Sequence, residues 1–533
     1  MPTLNWIGKE AVINHHKDVP FKLLNRVDSI LVGDNPSNLI IHGDNLEGLK
    51  ALLPYYYNKV NCIYIDPPYN TGKEGWAYND RVNSPKIKEW LGKIVGGEVE
   101  DLTRHDKWLC MMAPRLTLLR ELLSEGGVIF ISIDQNELHN LRSLMDEIFG
   151  EENFIEIFSW VKTSTPPGLS HKSRKTVEYI LCYENGKTDA KYKGELLSGG
   201  DQPLLNRGNR YRTLIFPSNS VVLKVPDGEY VAKNYGRVDL KTKLIVKNGV
   251  SDIDVVLGGE FKWTQKTLDK EVSLGTSFIV KSKQFSIRFI RNDEGKYKAP
   301  TNMIKDKYIT PVINKTVGVG TNETASSELL ELFGEKKFDY PKPVSLVKFL
   351  INLCADKDAI ILDSFAGSGT TGHAVLDLNK EDGGNRKFIM IELENNVAKD
   401  ITAERIKRAI NKYSYKDGFE YCELGKSLFD GEGKIDNACT FKELANYIFF
   451  TETQVNIDTR KITSNFLGSS TDTDYYLIYK GRGQNDLDKK FLGSLRESNN
   501  KRVIYADRCL LDEEIIQKHN ITFKQIPYEI KIF

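Results

Sequence analysis

The sequence predicts an α/β fold with a mostly parallel sheet, because strand-like and helix-like segments alternate in two separate parts of the chain. In the first part, apolar runs at 38–44 and 60–66 flank residues 45–57, whose leucines recur at helical spacing. In the second part, a strand at 359–363 leads into a glycine-rich loop and a helix, and a strand at 387–392 ends in an acid. The chain has 533 residues, too many for one ordinary domain, and predicts about two to four.

The elements between and after these two parts follow from the same patterns. A leucine ladder at 116–123 has helical spacing, Gly126-Gly127 ends it, and 128–133 is a third strand of the first part. From about residue 160 helical periodicity fades, and short strand-like pieces lie between turn signals, as at 220–225 and 277–280. We further expect helices at 326–333, 344–354 and 397–412, and strands at 474–479 and 502–505.

Charge is distributed unevenly along the chain. The formal net charge is only +1, but residues 161–320 hold 28 Lys and Arg against 16 Asp and Glu, a local balance of +12. The remainder therefore carries about −11. This asymmetry indicates a basic middle module that could neutralise phosphates, and the alternative is an ordinary solvated surface.

Cysteine usage and hydropathy bound the class of protein. The seven cysteines are scattered, without a CxxC pair, which favours reduced thiols and argues against a zinc site, so no metal is expected. No run of about 18 apolar residues occurs, and the N-terminus lacks a signal-peptide pattern. We expect a soluble, cytoplasmic protein.

The segment Asp66-Pro67-Pro68-Tyr69 is the strongest functional signal. It ends an apolar strand with a carboxylate, two prolines and an aromatic ring. Asp66 and the backbone carbonyl of Pro67 can accept hydrogen bonds from an exocyclic amine, and Pro68 stiffens the turn. Tyr69 can stack on a flat ring. The combination indicates methyl transfer to the amino group of a nucleic-acid base.

The loop from Phe365 to Thr371 follows a strand and precedes a helix. Its glycines, Gly367 and Gly369, let the backbone approach a ligand closely, and Glu392 lies where an acid would bind ribose hydroxyls. A P-loop is excluded because His373 stands where Lys is required. A structural turn and a dinucleotide site are alternatives, and the Asp66 segment favours S-adenosylmethionine.

Several other residues have an ordinary structural interpretation. Trp108 and Trp160 are expected in core or interface packing. His105 and His373 are expected as hydrogen-bonded structural histidines rather than as bases. Asp44 could simply cap the helix that follows it.

These motifs together resemble those of DNA amino-methyltransferases of the permuted order, in which the catalytic motif precedes the cofactor motif. More narrowly, the chain resembles the modification (Mod) subunit of type III restriction–modification systems. The resemblance covers most of 1–180 and 316–410 and is weak through 185–315. Its residues are Leu4–Lys9, His42–Glu47, Val60–Gly72 continuing to Tyr78–Asp80, Gly126–Glu137, Glu178–Leu181, Gly320–Glu323 and Asp363–Thr371. One departure is Val177-Glu178-Tyr179, where the family often has His-Glu-Tyr.

The resemblance implies a circularly permuted Rossmann-like fold with an inserted target-recognition domain and a small C-terminal α+β domain. The domains would be a catalytic half at 1–160, a DNA-recognition domain at 161–320, a cofactor half at 321–425, and 430–533 as a possible docking domain for a partner. It implies double-stranded DNA as the substrate, a homodimer, and a helicase–nuclease restriction subunit as a separate partner chain.

The resemblance also assigns roles to individual residues. Asp66, Pro67, Pro68 and Tyr69 would hold and orient a flipped adenine. Asp44 would approach the adenine of the cofactor, Glu392 its ribose, and Lys342 belongs to an additional cofactor motif. The cofactor cradle would comprise Asp363, Phe365, Ala366, Gly367, Ser368, Gly369 and Thr370.

The leading Asp66 favours adenine N6 over cytosine N4 by resemblance, although amine chemistry alone leaves both open. A stand-alone (orphan or type II-like) methyltransferase and an RNA methyltransferase are alternative enzymes. A DNA-recognition subunit that carries a helicase–nuclease partner is the non-enzyme alternative.

Overall fold

The chain divides into two compact units, one of residues 1–192 and 300–533 and the other of residues 193–299. The computed structural model describes residues 3–33, 36–71, 103–163, 165–166, 172–194, 201–291, 297–304, 308–309, 316–429, 434–437, 439–457, 462–481, 483 and 485–526. The predicted motif residues Gly72 and Tyr78–Asp80 lie outside them.

A large mixed sheet forms the centre of the first unit. Its strands in the described part of the chain are β1 (Lys22–Arg26), β2 (Asn38–His42), β3 (Val60–Ile65), β4 (Leu123–Ile133), β5 (Phe154–Val161), β6 (Val177–Glu184), β7 (Met303–Ile304), β8 (Ile360–Asp363), β9 (Lys387–Glu392) and β10 (Phe419–Ser427). They lie in the order β1-β10-β2-β9-β8-β3-β4-β6-β5-β7. The central pairs from β10 to β4 are parallel, as predicted, whereas β6 is antiparallel to both β4 and β5.

The pairing of β3 with β8 joins the two halves of the sequence. Cys62 pairs with Ile361 and Ile63 pairs with Leu362, in parallel. Because the carboxyl ends of parallel strands meet at one edge of a sheet, the turn after β3 and the glycine loop after β8 emerge side by side.

Helices cover both faces of this sheet. They are α1 (Asn45–Tyr56), α2 (Arg104–Leu122), α3 (Leu138–Phe149), α4 (Asn322–Phe333), α5 (Val344–Cys354), α6 (Thr370–Asp382), α7 (Glu404–Tyr413) and α8 (Phe441–Thr453). The alternation of β3 shows the two layers: Ile63 and Ile65 belong to one apolar core, and Cys62 and Tyr64 to another.

The helix predicted at 116–123 is longer at its start than the leucine ladder indicated. It begins at Arg104, where Thr103 and Asp106 form a reciprocal capping box, and it continues through Pro114. The strand predicted at 128–133 begins at Leu123, before the glycine pair. Pro114 inside the helix obscured the true start, since proline usually marks a helix boundary.

The described part of residues 193–299 forms its own apolar core from short strands and one helix, Gln265–Ser273. The predicted strand at 277–280 is Ser277–Val280, and the one at 220–225 is Val221–Leu223. Two four-stranded sheets occur in the described part of this unit.

The C-terminal segment belongs to the first unit. Its strands Phe466–Ser470, Thr473–Leu477, Lys501–Ala506 and Ile521–Gln525 form a separate sheet in that order, and the last three are parallel. Helix α8 packs against α1, so this segment extends the same core. Among the described residues, no helix has the length and apolar character needed to cross a membrane.

Candidate active site

Asp66 follows β3 directly, and its turn is held by hydrogen bonds from outside the motif. Trp108 Nε1 donates to the Pro68 carbonyl at 2.6 Å. Asn70 has a left-handed backbone (φ 54°), and its side chain donates to the Arg104 carbonyl at 3.0 Å and to the carboxylate of Glu137. The turn is therefore anchored on α2 and on the residues after β4.

The two carboxylate oxygens of Asp66 lie in different surroundings. Oδ2 accepts from Lys342 Nζ at 2.6 Å. Oδ1 is buried and has no hydrogen-bond partner among the described residues. Burial raises the pKa of the Asp66 carboxyl, and the Lys342 ammonium offsets this only in part. A buried, unpaired acceptor is costly, so Oδ1 is suited to receive a donor from a ligand.

Glu178 extends this pair into a chain of alternating charges. Its Oε2 accepts from Tyr69 OH at 3.0 Å and lies 3.6 Å from Lys342 Nζ, and its Oε1 accepts from Lys162 Nζ at 2.9 Å. Burial alone would raise the pKa of Glu178, but Lys342 and Lys162 outweigh it and the pKa is lowered. Burial would lower the pKa of Lys342, but Asp66 and Glu178 raise it. The charges of Asp66, Glu178 and Lys342 therefore stabilise one another inside the protein.

The glycine loop is held in place by α7 and by the π-helical segment Ala398–Ala403 that precedes it. Thr402 Oγ1 donates to the Gly367 carbonyl at 2.7 Å. Arg405, fully buried, donates from Nη1 to Ser368 Oγ at 2.9 Å and to Thr370 Oγ1 at 2.8 Å. Gly367 and Gly369 both have positive φ, which favours glycine.

Two acids fix the other side of the loop. Asp363 accepts from the Phe365 amide at 3.0 Å and from Thr371 Oγ1 at 2.5 Å. Burial raises the pKa of Asp363 to about 7, and these hydrogen bonds lower it only partly. Glu392 accepts from the Gly367 amide at 2.9 Å and from the Glu394 amide at 3.1 Å.

The turn and the loop line a single cleft. Its walls combine three acids, Asp66, Asp363 and Glu392, and two bases with apolar and aromatic side chains, which suits a ligand with charged groups and a flat ring. The lining residues are Asn45, Tyr64, Asp66, Pro68, Met111, Arg115, Phe338, Tyr340, Pro341, Lys342, Asp363, Ser364, Phe365, Ala366, Gly367, Ser368, Thr370, Thr371, Glu392 and Leu393. S-adenosylmethionine, with its sulfonium, ammonium and adenine ring, fits this composition.

Four residues predicted for the site are not among those lining the cleft. They are Asp44, Pro67, Tyr69 and Gly369. Tyr69 is 6% exposed, and Lys342 Nζ lies 5.1 Å from the centre of its ring. Its stacking role stays a prediction.

Asp44 caps α1, as its ordinary interpretation states. Its Oδ1 accepts from the Leu46 amide at 2.7 Å, and both carboxylate oxygens accept from Arg115 Nη2, at 3.2 and 3.3 Å. It lines a neighbouring cleft that shares Leu393 with the first. Its role toward the cofactor adenine stays a prediction.

Sequence reasoning missed three functional candidates. Glu178 was noted only as part of a family motif, and that resemblance is the one sequence signal that could have marked it. Arg115 and Asn45 connect α2 to the cofactor side, since Arg115 Nε donates to Asn45 Oδ1 and Asn45 Nδ2 donates to the Ser364 carbonyl at 2.9 Å. No pattern in the sequence signals that connection.

Two tryptophans and two histidines were expected to have structural roles. Trp108 and Trp160 are buried, as predicted. His105 is hydrogen-bonded to Glu137 at 2.6 Å. The expectation for His373 is wrong in part, because its ring stacks on Tyr413 and its Nδ1 has no hydrogen-bond partner among the described residues. No group of acids, histidines and cysteines suited to a metal ion occurs in the part of the chain that the structure describes.

A parallel sheet that brings an Asp-Pro-Pro-Tyr turn beside a glycine loop of the permuted order defines the class of amino-methyltransferases. The profile of the DNA methylase family that acts at N6 or N4 matches residues 60–404, and the chain belongs to this family, whose methyl donor is S-adenosylmethionine.

Individual relatives refine this result. The chain is 33% identical to the type III restriction-modification enzyme StyLTI Mod subunit of Salmonella typhimurium over 73% of this chain and 60% of that one. It is 31% identical to the EcoPI Mod subunit of Escherichia phage P1, over 84% of this chain and 74% of that one. It is 30% identical to the type II methyltransferase M.KpnI of Klebsiella pneumoniae, over 72% and 85%. The resemblance to type III Mod subunits is thereby confirmed, and the chain spans about three fifths of the StyLTI subunit.

Proposed function

We propose that this chain transfers the methyl group of S-adenosylmethionine to the N6 amine of an adenine flipped out of duplex DNA. We further propose that it does so as the modification and recognition subunit of a type III restriction–modification system. The observation that carries the proposal is the buried, unpaired Oδ1 of Asp66 in the cleft that it shares with the glycine loop.

The chain's own residues supply positioning and proton acceptance. S-adenosylmethionine, when bound, supplies an electrophilic methyl group on its sulfonium. Asp66 Oδ1 and the Pro67 carbonyl would each accept a hydrogen bond from one N–H group of the amine. These two bonds would localise the lone pair on the nitrogen, from which it attacks the methyl group. The amine nitrogen would lose one proton on methylation, and the unpaired Asp66 Oδ1 in the cleft would be available to accept it. No protein nucleophile takes part, so the rate depends on alignment.

The loop and its acids hold the cofactor side. Asp363 and Glu392 would face the positive charges and hydroxyls of the cofactor, while Phe365 and Leu393 would pack on its rings. The target base must leave the duplex, because its amine is otherwise buried in the stack. Unstacking costs a few kcal/mol, which the cleft must return through contacts to the base.

Recognition of the DNA sequence belongs, in this proposal, to the predicted domain at 161–320, within which residues 193–299 fold as a compact unit. The basic balance of 161–320 supports contact with phosphates. Cleavage would require a separate helicase–nuclease chain, for which the type III relatives are the support, and a homodimer is the proposed assembly.

The test is methyl transfer from tritiated S-adenosylmethionine to duplex DNA, followed by nucleoside analysis. We expect N6-methyladenine, and modification-sensitive sequencing should place it at one recurring motif. N4-methylcytosine would correct the base. Label only in structured RNA, or none in either polymer with a correctly folded protein that binds the cofactor, would overturn the proposal.

A stand-alone enzyme is the second candidate, and the similarity to M.KpnI favours it. Expression with and without a co-encoded helicase–nuclease separates the two. A type III subunit should co-purify with that partner and support cleavage of unmodified DNA, whereas a stand-alone enzyme should do neither.

A further inference from the structure

Lys342 stands between the catalytic turn and the cofactor loop, although its neighbourhood in the sequence marked it for the cofactor only. Its side chain is 5% exposed, and its ammonium lies 2.6 Å from Asp66 Oδ2 and 3.6 Å from Glu178 Oε2. Both carboxylates belong to the half of the sheet that carries the Asp-Pro-Pro-Tyr turn. The charge of Lys342 is thus directed to the catalytic side of the cleft.

The backbone of Lys342 leaves little freedom for any other arrangement. Pro341 and Pro343 flank it, so the φ angles on both sides are fixed and Lys342 itself is restricted to extended conformations. Its carbonyl accepts from Thr370 Oγ1 at 3.0 Å, at the start of α6. Two residues further along the chain, the Val344 amide donates to Glu328 Oε2 at 3.1 Å. The ammonium therefore has a rigid base that is tied to the glycine loop.

We propose that Lys342 is a positioning residue for methyl transfer, which holds Asp66 through Oδ2 so that Oδ1 is presented to the amine of the target base. This inference rests on the proposed function. It makes Lys342 a link between the two halves of the reaction, because the same residue is bonded to the cofactor loop by its backbone and to the amine acceptor by its side chain.

A direct role of the ammonium in cofactor binding is less consistent with the charges. The sulfonium and the methionine ammonium of S-adenosylmethionine are positive and would be repelled by a lysine, so the carboxylate of the cofactor is the group that a lysine could bind. The Lys342 ammonium already lies 2.6 Å from Asp66 Oδ2 and 3.6 Å from Glu178 Oε2. Paired with Asp66 and Glu178, the ammonium is neutralised where it stands. The acids Asp363 and Glu392 remain for the cofactor.

The groups that face Asp66 determine how its protonation responds to loss of the lysine. They are Lys342, Glu178, Tyr69, Tyr64 and Asp363. Lys342 is the cation among them, and the other four are acids or phenols. Without it, the pKa of Asp66 must rise further above its ordinary value, and the carboxylate would be lost at a higher pH.

The experiment compares three variants of the full chain: Lys342→Met, Lys342→Arg and Lys348→Met. Lys348 is the matched control, because it also pairs with two carboxylates, Asp377 at 2.5 Å and Glu381 at 2.6 Å, but lies outside the cleft. Methyl transfer to duplex DNA is measured as kcat against pH, and binding of S-adenosylmethionine by calorimetry.

For Lys342→Met we expect the acidic limb of the kcat profile to move up by about 1 to 3 pH units. Lys342→Arg should bring the acidic limb most of the way back to its wild-type position, since arginine keeps the positive charge beside Asp66. Cofactor affinity should change less than threefold in either variant, and Lys348→Met should match the wild type in both measurements.

Two results would overturn the inference and leave the proposed function standing. One is an active Lys342→Met whose pH profile is unchanged. The other is a loss of cofactor affinity as large as the loss of activity, which would return Lys342 to the cofactor site. If Lys342→Met does not fold, an unshifted profile for Lys342→Gln would refute the positioning role equally. Inactivity of the wild type toward DNA would instead contradict the proposed function itself.

Discussion

Trp108 donates its indole N–H to the carbonyl of Pro68 at 2.6 Å, from the second turn of α2 to the middle of the catalytic turn. Sequence reasoning assigned this tryptophan to core or interface packing, and it is fully buried. The hydrogen bond gives Trp108 a second role, because it fixes the catalytic turn at a set distance from α2. The position of Asp66 thus depends on a residue that does not line the cleft.

Trp108→Phe tests that dependence. We expect kcat to fall by about 10- to 100-fold, because small displacements of reacting groups are costly, with unchanged cofactor affinity. The free energy of unfolding should fall by about 1–3 kcal/mol for the unpaired carbonyl. Trp160→Phe is the control, since Trp160 is equally buried and donates to the Gly320 carbonyl at 3.1 Å. Equal losses of kcat in both variants would refute a specific role for Trp108.

Asp66→Ala should abolish methyl transfer and keep cofactor binding. We expect a loss in kcat of at least about 10²–10³-fold, the magnitude for removing a hydrogen-bond partner of the reacting group. Asp377→Ala removes a similar aspartate–lysine pair outside the cleft and should remain active. Calorimetry with S-adenosylmethionine and a duplex methylation assay measure the two effects, and full activity of Asp66→Ala would end the assignment.

Gly367→Val should remove binding of S-adenosylmethionine. Gly367 has φ 50°, where a β-branched residue is strained by about 1–3 kcal/mol, and its amide and carbonyl are both bonded. Gly383→Val is matched in backbone, with φ 68°, but has open space around it at the end of α6. Both variants should lose stability, and only the first should lose cofactor affinity in calorimetry. Unchanged affinity in Gly367→Val would contradict the cradle.

Asp363 should make stability depend on pH. Its folded-state pKa of about 7 lies above its ordinary 3.8, so the folded protein resists its ionisation. The associated stability is fully present below about pH 4 and is lost as the pH rises through 7. Relative to Asp363→Asn, the wild type should lose stability over this window, with a slope of up to about 1.4 kcal/mol per pH unit. Urea unfolding of both proteins from pH 4 to 8 measures the difference, and parallel curves would refute it.

The sequence predicted the parts of the site that depend on local pattern. The turn at Asp66 and the loop at Gly367 each follow a strand. Their residue types alone indicate acceptors for an amine in the turn and a close approach to a ligand in the loop. The starts of α5 and β9 were predicted to the residue, since proline and an apolar run mark them. What failed were relations between distant segments. Nothing near Glu178 signals that Tyr69 and two lysines converge on it, and the partner of Lys342 lies at the other end of the sequence.

The interleaving of the large sheet has a consequence for how the protein is made. Strands β10, β9 and β8 from the C-terminal segment are inserted among β1, β2 and β3 from the N-terminal one. They separate β1, β2 and β3 from one another, whereas β3, β4, β6 and β5 are neighbours within the N-terminal segment. When the first 190 residues have left the ribosome, β1, β2 and one edge of β3 still lack their partner strands, which lie beyond residue 360. Such pairings between distant parts of a chain fold slowly and expose strand edges meanwhile. Production of this protein should therefore depend on chaperone capacity more than its final stability would indicate.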